Sequence, residues 1–403
     1  MTTFRCRARW VLPIARRPIP DGVLTVARDR IVSVEAEPDG EPAPIDLGAV
    51  AVLPGLVNAH THLELSSLRG RVARSRTVPD WVRALMQARS AAPESLHPIE
   101  EAVSELRCCG TALVGDVSNT LASAGPLAAG DVSARLFYEL VGFAVEDARS
   151  TVSAALDRLG GIPASDRLRG SLAAHAPYSV SPALLAAIRA AIDAPDPLGV
   201  HLGESAEERE FLSRGTGPWR RLLDDLGAWN PGWRAPGCGP VEYLERCRFL
   251  GPGLVAAHAV QLREPELERL AATGGAVVTC PRSNAWTGAG RPDVERFYRA
   301  GVPVAIGTDS LASCPDLNLF QELAALRRLA PAVPAPTLLR SATEVGAHVL
   351  GFHDELGTIE PGRRAALIAV DLPDGIQDVE EYLMSGIEPE QVHWLDESGA
   401  LGE

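Results

Sequence analysis

The chain reads as an α/β protein, a (β/α)8 TIM barrel with a small discontinuous β domain built from both chain ends. Three observations predict this. Eight short apolar runs recur through the middle of the chain. Stretches of helical length and composition lie between them. The two ends carry short alternating runs instead. Strands alternating with helices argue for a parallel sheet, and eight such units argue for a closed barrel.

The apolar runs are Val50–Val57, Thr111–Val117, Arg135–Val141, Gly170–Ala174, Leu198–Leu202, Leu254–His258, Ala276–Thr279 and Val302–Ile306. Helices are predicted at Trp81–Arg89, Ile99–Arg107, Pro182–Ile192, Glu264–Ala272, Val294–Ala300 and Leu319–Leu329. An open doubly wound sheet is the competing fold, but no Gly-rich dinucleotide fingerprint follows the first run. From Leu12 to Ile45, short alternating runs are punctuated by Asp21-Gly22 and Asp39-Gly40, which read as turns. From Gly357 to Trp394 the pattern returns, with a Glu360-Pro361-Gly362 turn before Ala366–Val370. The expected division is 1–54 with 357–403 for the small domain and 55–356 for the barrel. The Pro/Gly-rich segment Asn230–Pro240 reads as a long loop over the barrel mouth.

A net charge of −14 argues against a nucleic-acid or anionic-membrane partner, because both reward basic surfaces. No apolar run approaches the roughly 20 residues that span a bilayer. Met1–Pro20 lacks the apolar stretch of a signal peptide, so cytoplasmic residence is expected. Seven cysteines, an odd number that includes the adjacent Cys108 and Cys109, suit reduced thiols. The chain contains no lysine. That excludes Schiff-base chemistry, a phosphate-loop lysine and any metal bridge built on a carboxylated lysine.

Polar residues that end barrel strands project into the active-site face. The first run leads into Asn58-Ala59-His60-Thr61-His62. In extended chain, residues i and i+2 point the same way, so His60 and His62 can grip one ion. The fifth run ends near His201, the sixth at His258, and Asp309 follows the eighth. Each alone has an ordinary reading: a core histidine, or a carboxylate capping a turn. Four of nine histidines and one aspartate at the ends of runs one, five, six and eight make coincidence a poor account. Neutral imidazoles with a carboxylate suit Zn2+ or Fe2+. Such a cation lowers the pKa of bound water to about 7. Glu204, three residues past His201, is placed to take that water's proton. Glu207, Glu208 and Glu210 read as a solvated helix face.

The strings Leu53-Pro54-Gly55-Leu56-Val57-Asn58-Ala59-His60-Thr61-His62, His201-Leu202-Gly203-Glu204, Ala257-His258 and Gly307-Thr308-Asp309-Ser310 together resemble the amidohydrolase superfamily. Within it they are similar to the single-metal branch of cytosine, guanine and S-adenosylhomocysteine deaminases and triazine chlorohydrolases. The tail Gly357-Thr358-Ile359-Glu360-Pro361-Gly362 also fits, so the resemblance spans nearly the whole chain. Arg364-Ala365-Ala366-Leu367 departs from the Ala-Asp-Leu often found there, in the small domain. The resemblance implies that the ends form a β-sandwich. It implies His60, His62, His201 and Asp309 as ligands of one divalent ion, Zn2+ first and Fe2+ second. It makes Glu204 the proton shuttle, His258 a contact of the hydrolytic water and Asp309 a second proton acceptor. Homodimers are common in this family.

Substrate is read from further strings. His175, in Ala174-His175-Ala176-Pro177-Tyr178, resembles a nucleoside-contacting histidine, against a core histidine as the plain reading. The strings around Glu64, Arg282 and Thr216 resemble those of the aminodeoxyfutalosine deaminases of menaquinone biosynthesis. Those enzymes remove ammonia from an adenine nucleoside that bears a benzoate. Arg282 then meets the carboxylate, or is a surface arginine. Glu64 is a candidate for the ribose diol; Trp81 and Ser310 are candidate pocket residues. The expected activity is hydrolytic deamination of a 6-aminopurine nucleoside. The alternatives are adenosine, S-adenosylhomocysteine, guanine, a pterin or a triazine as substrate, or an inactive scaffold barrel.

Overall fold

The computed structural model describes residues 3–36, 45–92, 95–395 and 401. The strands are β1 Thr3–Val11, β2 Ile19–Ala27, β3 Arg30–Ala36, β4 Ile45–Asp46, β5 Val50–Pro54, β6 Leu56–Thr61, β7 Thr111–Ser118 and β8 Ser133–Leu140. They continue with β9 Leu168–Ala174, β10 Leu198–Leu202, β11 Leu254–His258, β12 Ala276–Thr279, β13 Val304–Ile306, β14 Leu367–Asp371 and β15 Val392–Trp394.

β6 to β13 form one eight-stranded sheet in strict sequence order, every neighbouring pair parallel. These strands read as apolar runs because both faces are covered. Val57, Leu113, Phe137, Ala173, Val255, Val278 and Ala305, from seven of them, meet in one buried cluster. The two edge strands come together through the residues that follow β13. The Asp309 N–H donates to the His60 carbonyl at 2.9 Å. Asn58 and Thr308 exchange two hydrogen bonds, of 2.8 and 3.1 Å. Gly307 permits this approach, since a Cβ there would lie 2.7 Å from the His60 carbonyl oxygen. The barrel closes where the candidate ligands sit.

Both chain ends contribute to the second sheet, ordered β15-β14-β5-β1-β2-β3 with β4 beside β1. β5 pairs antiparallel with β14, joining residues more than 300 positions apart in one register, Val50 opposite Asp371. The sandwich expected of the ends takes the form of this single connected seven-stranded sheet, packed on a core of Cys6, Ala8, Leu24, Val26, Val52 and Ala369.

Several expectations are corrected here. The run Val50–Val57 is two strands, split at Gly55 between the small sheet and the barrel. β1 precedes the predicted small-domain strands; it alternates buried Cys6 and Ala8 with partly exposed Arg5, Arg7 and Arg9. Asp21-Gly22 lies inside β2 and makes no hairpin turn. Gly22 is needed for packing, because a Cβ would meet the Val11 side chain at 2.8 Å. Asp39-Gly40 falls outside the described residues. The loop 230–240 lies on the helix Ala206–Arg214, where Trp233 stacks on Phe211 at 4.7 Å. The mouth is walled instead by the helix Val78–Ser90. No described helix is long and apolar enough to cross a membrane. The seven cysteines are all free thiols.

Candidate metal centre

His60 is the penultimate residue of β6 and His62 directly follows the strand, and their ring centroids lie 5.0 Å apart. His201 on β10 brings its Nε2 to 3.2 Å from Nε2 of His62. Asp309 Oδ1 lies 3.8 Å from His60 Nε2 and 3.7 Å from His62 Nε2. Three imidazole nitrogens and one carboxylate oxygen, from three strand ends, thus face one point. All four residues are well shielded from solvent.

Hydrogen bonds outside this cluster fix which atom each residue offers. His201 Nδ1 lies 2.8 Å from the His175 carbonyl, which only accepts, so Nδ1 carries the hydrogen and Nε2 presents a lone pair. Asp309 Oδ2 accepts from Ser283 at 2.5 Å and Ser313 at 3.1 Å, leaving Oδ1 turned toward the histidines. His60 Nε2 is buried with no hydrogen-bond partner. A buried polar atom left bare is costly, and a cation would satisfy it. Burial drives His60 well below the ordinary histidine range and lowers His62, keeping both neutral and able to coordinate. Burial opposes ionisation of Asp309, yet the His62 and His258 rings and the Ser283 hydroxyl hold its pKa low. This donor set fits one divalent cation.

Around this point stand the companions. His258 ends β11 in the left-handed region, at φ 72°, and Asp309 shares that region at φ 62°. Two non-glycine residues held there at one site mark strain kept by the surrounding fold. His258 Nδ1 donates to Asn284 Oδ1 at 2.9 Å, and its Nε2 stands 3.9 Å from Glu204 Oε1. Burial pushes the Glu204 carboxyl up to about 7, opposed by the His201 ring. The cavity above holds about 290 Å3 and is lined by His62, His201, Asp309, Glu204 and His258 but not by His60, with Trp81, His175 and Ser310 among its walls. His175 bonds Ser179 through Nδ1 at 2.5 Å, and burial lowers its pKa to about 3. Trp81 is both core and wall: it packs with Leu65 and Leu68, and its Nε1 has no partner.

Two sequence readings are corrected, those of Arg282 and Glu208. The Arg282 guanidinium is spent on Asp316, at 2.8 and 2.9 Å, and on Glu322 at 2.6 Å, and it is absent from the cavity wall. Glu64 does line the cavity, but its Oε2 accepts from Ser118, Asn119 and Thr120, and its Oε1 from Arg89 at 2.9 Å. Glu208 is fully buried, not on a solvated face. Two acids escaped notice. Glu139, near the end of β8, sets Oε1 3.3 Å from His201 Nδ1. Asp116, in β7, accepts from the Leu63 N–H at 2.8 Å and the Thr61 hydroxyl at 3.2 Å, clamping both neighbours of His62. Their signal was available: a carboxylate inside an otherwise apolar strand.

Asp116 carries a pH prediction. Burial pushes its carboxyl up to about 7. A carboxyl raised on folding stabilises fully below its unfolded pKa, about 4, and that stability is lost as pH rises through about 7. Thermal midpoints measured across that window should therefore fall with a slope that Asp116→Asn flattens. An unaltered slope in the variant would contradict the assignment.

A parallel barrel with a buried three-histidine, one-carboxylate cluster at its mouth defines a class, the barrel hydrolases that use a divalent metal ion. The chain belongs to the amidohydrolase family, whose model matches residues 51–392, and is a hydrolase acting on C–N bonds. A 5-methylthioadenosine/S-adenosylhomocysteine deaminase of Syntrophobacter fumaroxidans is 33% identical over 81% of this chain and 73% of its own length. An aminodeoxyfutalosine deaminase of Deinococcus radiodurans is 31% identical over 75% and 74%. Among solved structures, a zinc-bound adenosine deaminase from Xanthomonas campestris superposes with a TM-score of 0.82 at 27% identity, covering 99% of this chain and 92% of that one. The Helicobacter pylori aminofutalosine deaminase in complex with methylthio-coformycin superposes at 0.86 with 22% identity, over 99% and 100%, a likeness of fold.

Proposed function

We propose that this protein is a hydrolytic deaminase of a 6-aminopurine nucleoside, with one divalent cation, Zn2+ before Fe2+, held by His60, His62, His201 and Asp309. The observation that carries this reading is the meeting of four ligand atoms beside a buried carboxylate, Glu204, at the floor of a cavity of nucleoside size. The bound cation supplies Lewis-acid activation of water. Glu204 takes a proton from the attacking water and delivers it to the ring nitrogen beside the amino-bearing carbon. His258, its Nδ1 hydrogen committed to Asn284, turns Nε2 toward the water and orients it. Asp309 accepts the second proton and passes it to the departing amine. His175 faces the purine from the end of β9, and Ser310 and Trp81 close the sides.

Aminodeoxyfutalosine is the first candidate substrate. The engagement of Arg282 moves recognition of its carboxylate to Arg89, the arginine that lines the cavity. Val82, Leu85, Met86 and Val141 give an apolar wall for the aryl group. The same wall suits a methylthio group, which keeps 5′-methylthioadenosine as the second reading, because Arg89 is already shared with Glu64. The test is ammonia release from aminodeoxyfutalosine, 5′-methylthioadenosine, S-adenosylhomocysteine, adenosine and guanine, with chloride release from a chlorotriazine. The highest kcat/KM is expected for aminodeoxyfutalosine. A lead for 5′-methylthioadenosine selects the second reading. Turnover of guanine or triazine with none of any adenine nucleoside overturns both.

A further inference from the structure

The helix Ala206–Arg214 begins at Ser205, whose hydroxyl accepts from the Glu208 N–H at 3.2 Å. Ser205 and Glu208 have the spacing of a capping box, in which the third residue's carboxylate returns to the N-cap N–H. Here it reaches further back. Glu208 Oε1 accepts from the Gly203 N–H at 3.0 Å, and Oε2 from the Glu204 N–H at 3.1 Å. Both oxygens of a fully buried carboxylate are thus spent on the two peptide groups that carry the loop out of β10.

The rest of that loop is held by packing and through its carbonyl groups. Gly203 sits at φ +61°, pressed so close to Leu262 that a Cβ would lie 2.5 Å from Cδ2. Carbonyl groups on this stretch are taken by the far side: Leu202 accepts from Ala259 N–H at 3.1 Å and Gly203 from Gln261 N–H at 2.7 Å. Among the described residues no side chain hydrogen-bonds the Glu204 carboxylate, so its backbone sets its direction. Buried N–H groups need partners, and the pair 203–204 has one in Glu208. A carboxylate that only capped a helix would have no reason to hold the residue before the N-cap and the one before that.

We infer that Glu208 is a positioning residue for the proton shuttle: it aims Glu204 at the reacting atoms by clamping the two consecutive peptide groups that flank the Gly203 Cα. This rests on the role proposed for Glu204. The test compares Glu208→Gln, Glu204→Gln and the double variant, each purified with zinc and assayed with the fastest nucleoside of the panel above. In Glu208→Gln an amide NH2 replaces one acceptor and faces a backbone donor. The expected result is a kcat loss of about 10²-fold, the size of effect a misplacement near 1 Å produces, with KM and metal content near wild type. The double variant should be no slower than Glu204→Gln alone, because groups that act as a unit are not additive. Amide exchange of the 201–206 segment should quicken in Glu208→Gln. Where that variant is too unstable, Glu208→Asp keeps the charge, shortens the reach and should lose kcat in the same way. Wild-type kcat at full metal content in Glu208→Gln, or a double variant whose losses multiply, overturns the inference. A Glu204→Gln enzyme at wild-type rate sinks the proposed function instead.

Discussion

Glu204→Gln is expected to cut ammonia release by about 10³-fold, within the range a positioned proton carrier supplies, while the metal content stays at the wild-type level. The reason is a separation of duties in the geometry. Glu204 stands outside the convergence of His60, His62, His201 and Asp309, with its Oε1 3.9 Å from His258 Nε2. Glutamine keeps the shape and the acceptor oxygen but cannot carry a proton. The measurement is turnover alongside elemental analysis of the same preparation. Loss of metal together with activity would make Glu204 a ligand, and the proposed mechanism would fall.

The second large effect is expected from His62→Ala. Its Nε2 lies 3.2 Å from that of His201 and 3.7 Å from Asp309 Oδ1, so removing it opens one side of the site. Cation binding should weaken by well over about 10²-fold, more than the roughly 10–100-fold that loss of an outer hydrogen-bond partner costs, and activity should vanish with it. Ser283→Ala supplies the contrast. Ser283 holds Asp309 only through Oδ2, and its loss belongs to the milder class. Competition against a metal-binding dye reads both constants. Equal losses in the two variants would contradict the assignment of His62 as a direct ligand.

Much of the barrel was legible because its strands are covered on both faces and so read as uninterrupted apolar runs. Leu198–Leu202, Leu254–His258 and Ala276–Thr279 have the ends that hydropathy assigns them. The same property hid the junction at Gly55, where two buried strands of different sheets follow each other with no polar residue between them. β1 was obscured by arginines that alternate with its inward residues and break its apolar pattern. The ligands were visible because strand ends are fixed points in a barrel. Long-range partners were not. Arg282 looks free in the sequence, and only the fold brings Asp316 and Glu322 onto its guanidinium. Glu208 follows the surface periodicity of its helix, yet it lies where a side chain at the third helical position can reach back past the cap. Helical periodicity describes faces and is blind to that reach.

The central claim is one divalent cation on four named ligands. Equilibrium dialysis against Zn2+ followed by elemental analysis tests it most directly, with the His62→Ala variant beside the wild type. The account predicts one tightly held ion per wild-type chain and none in the variant. Two ions per chain, or one ion retained without His62, would contradict it.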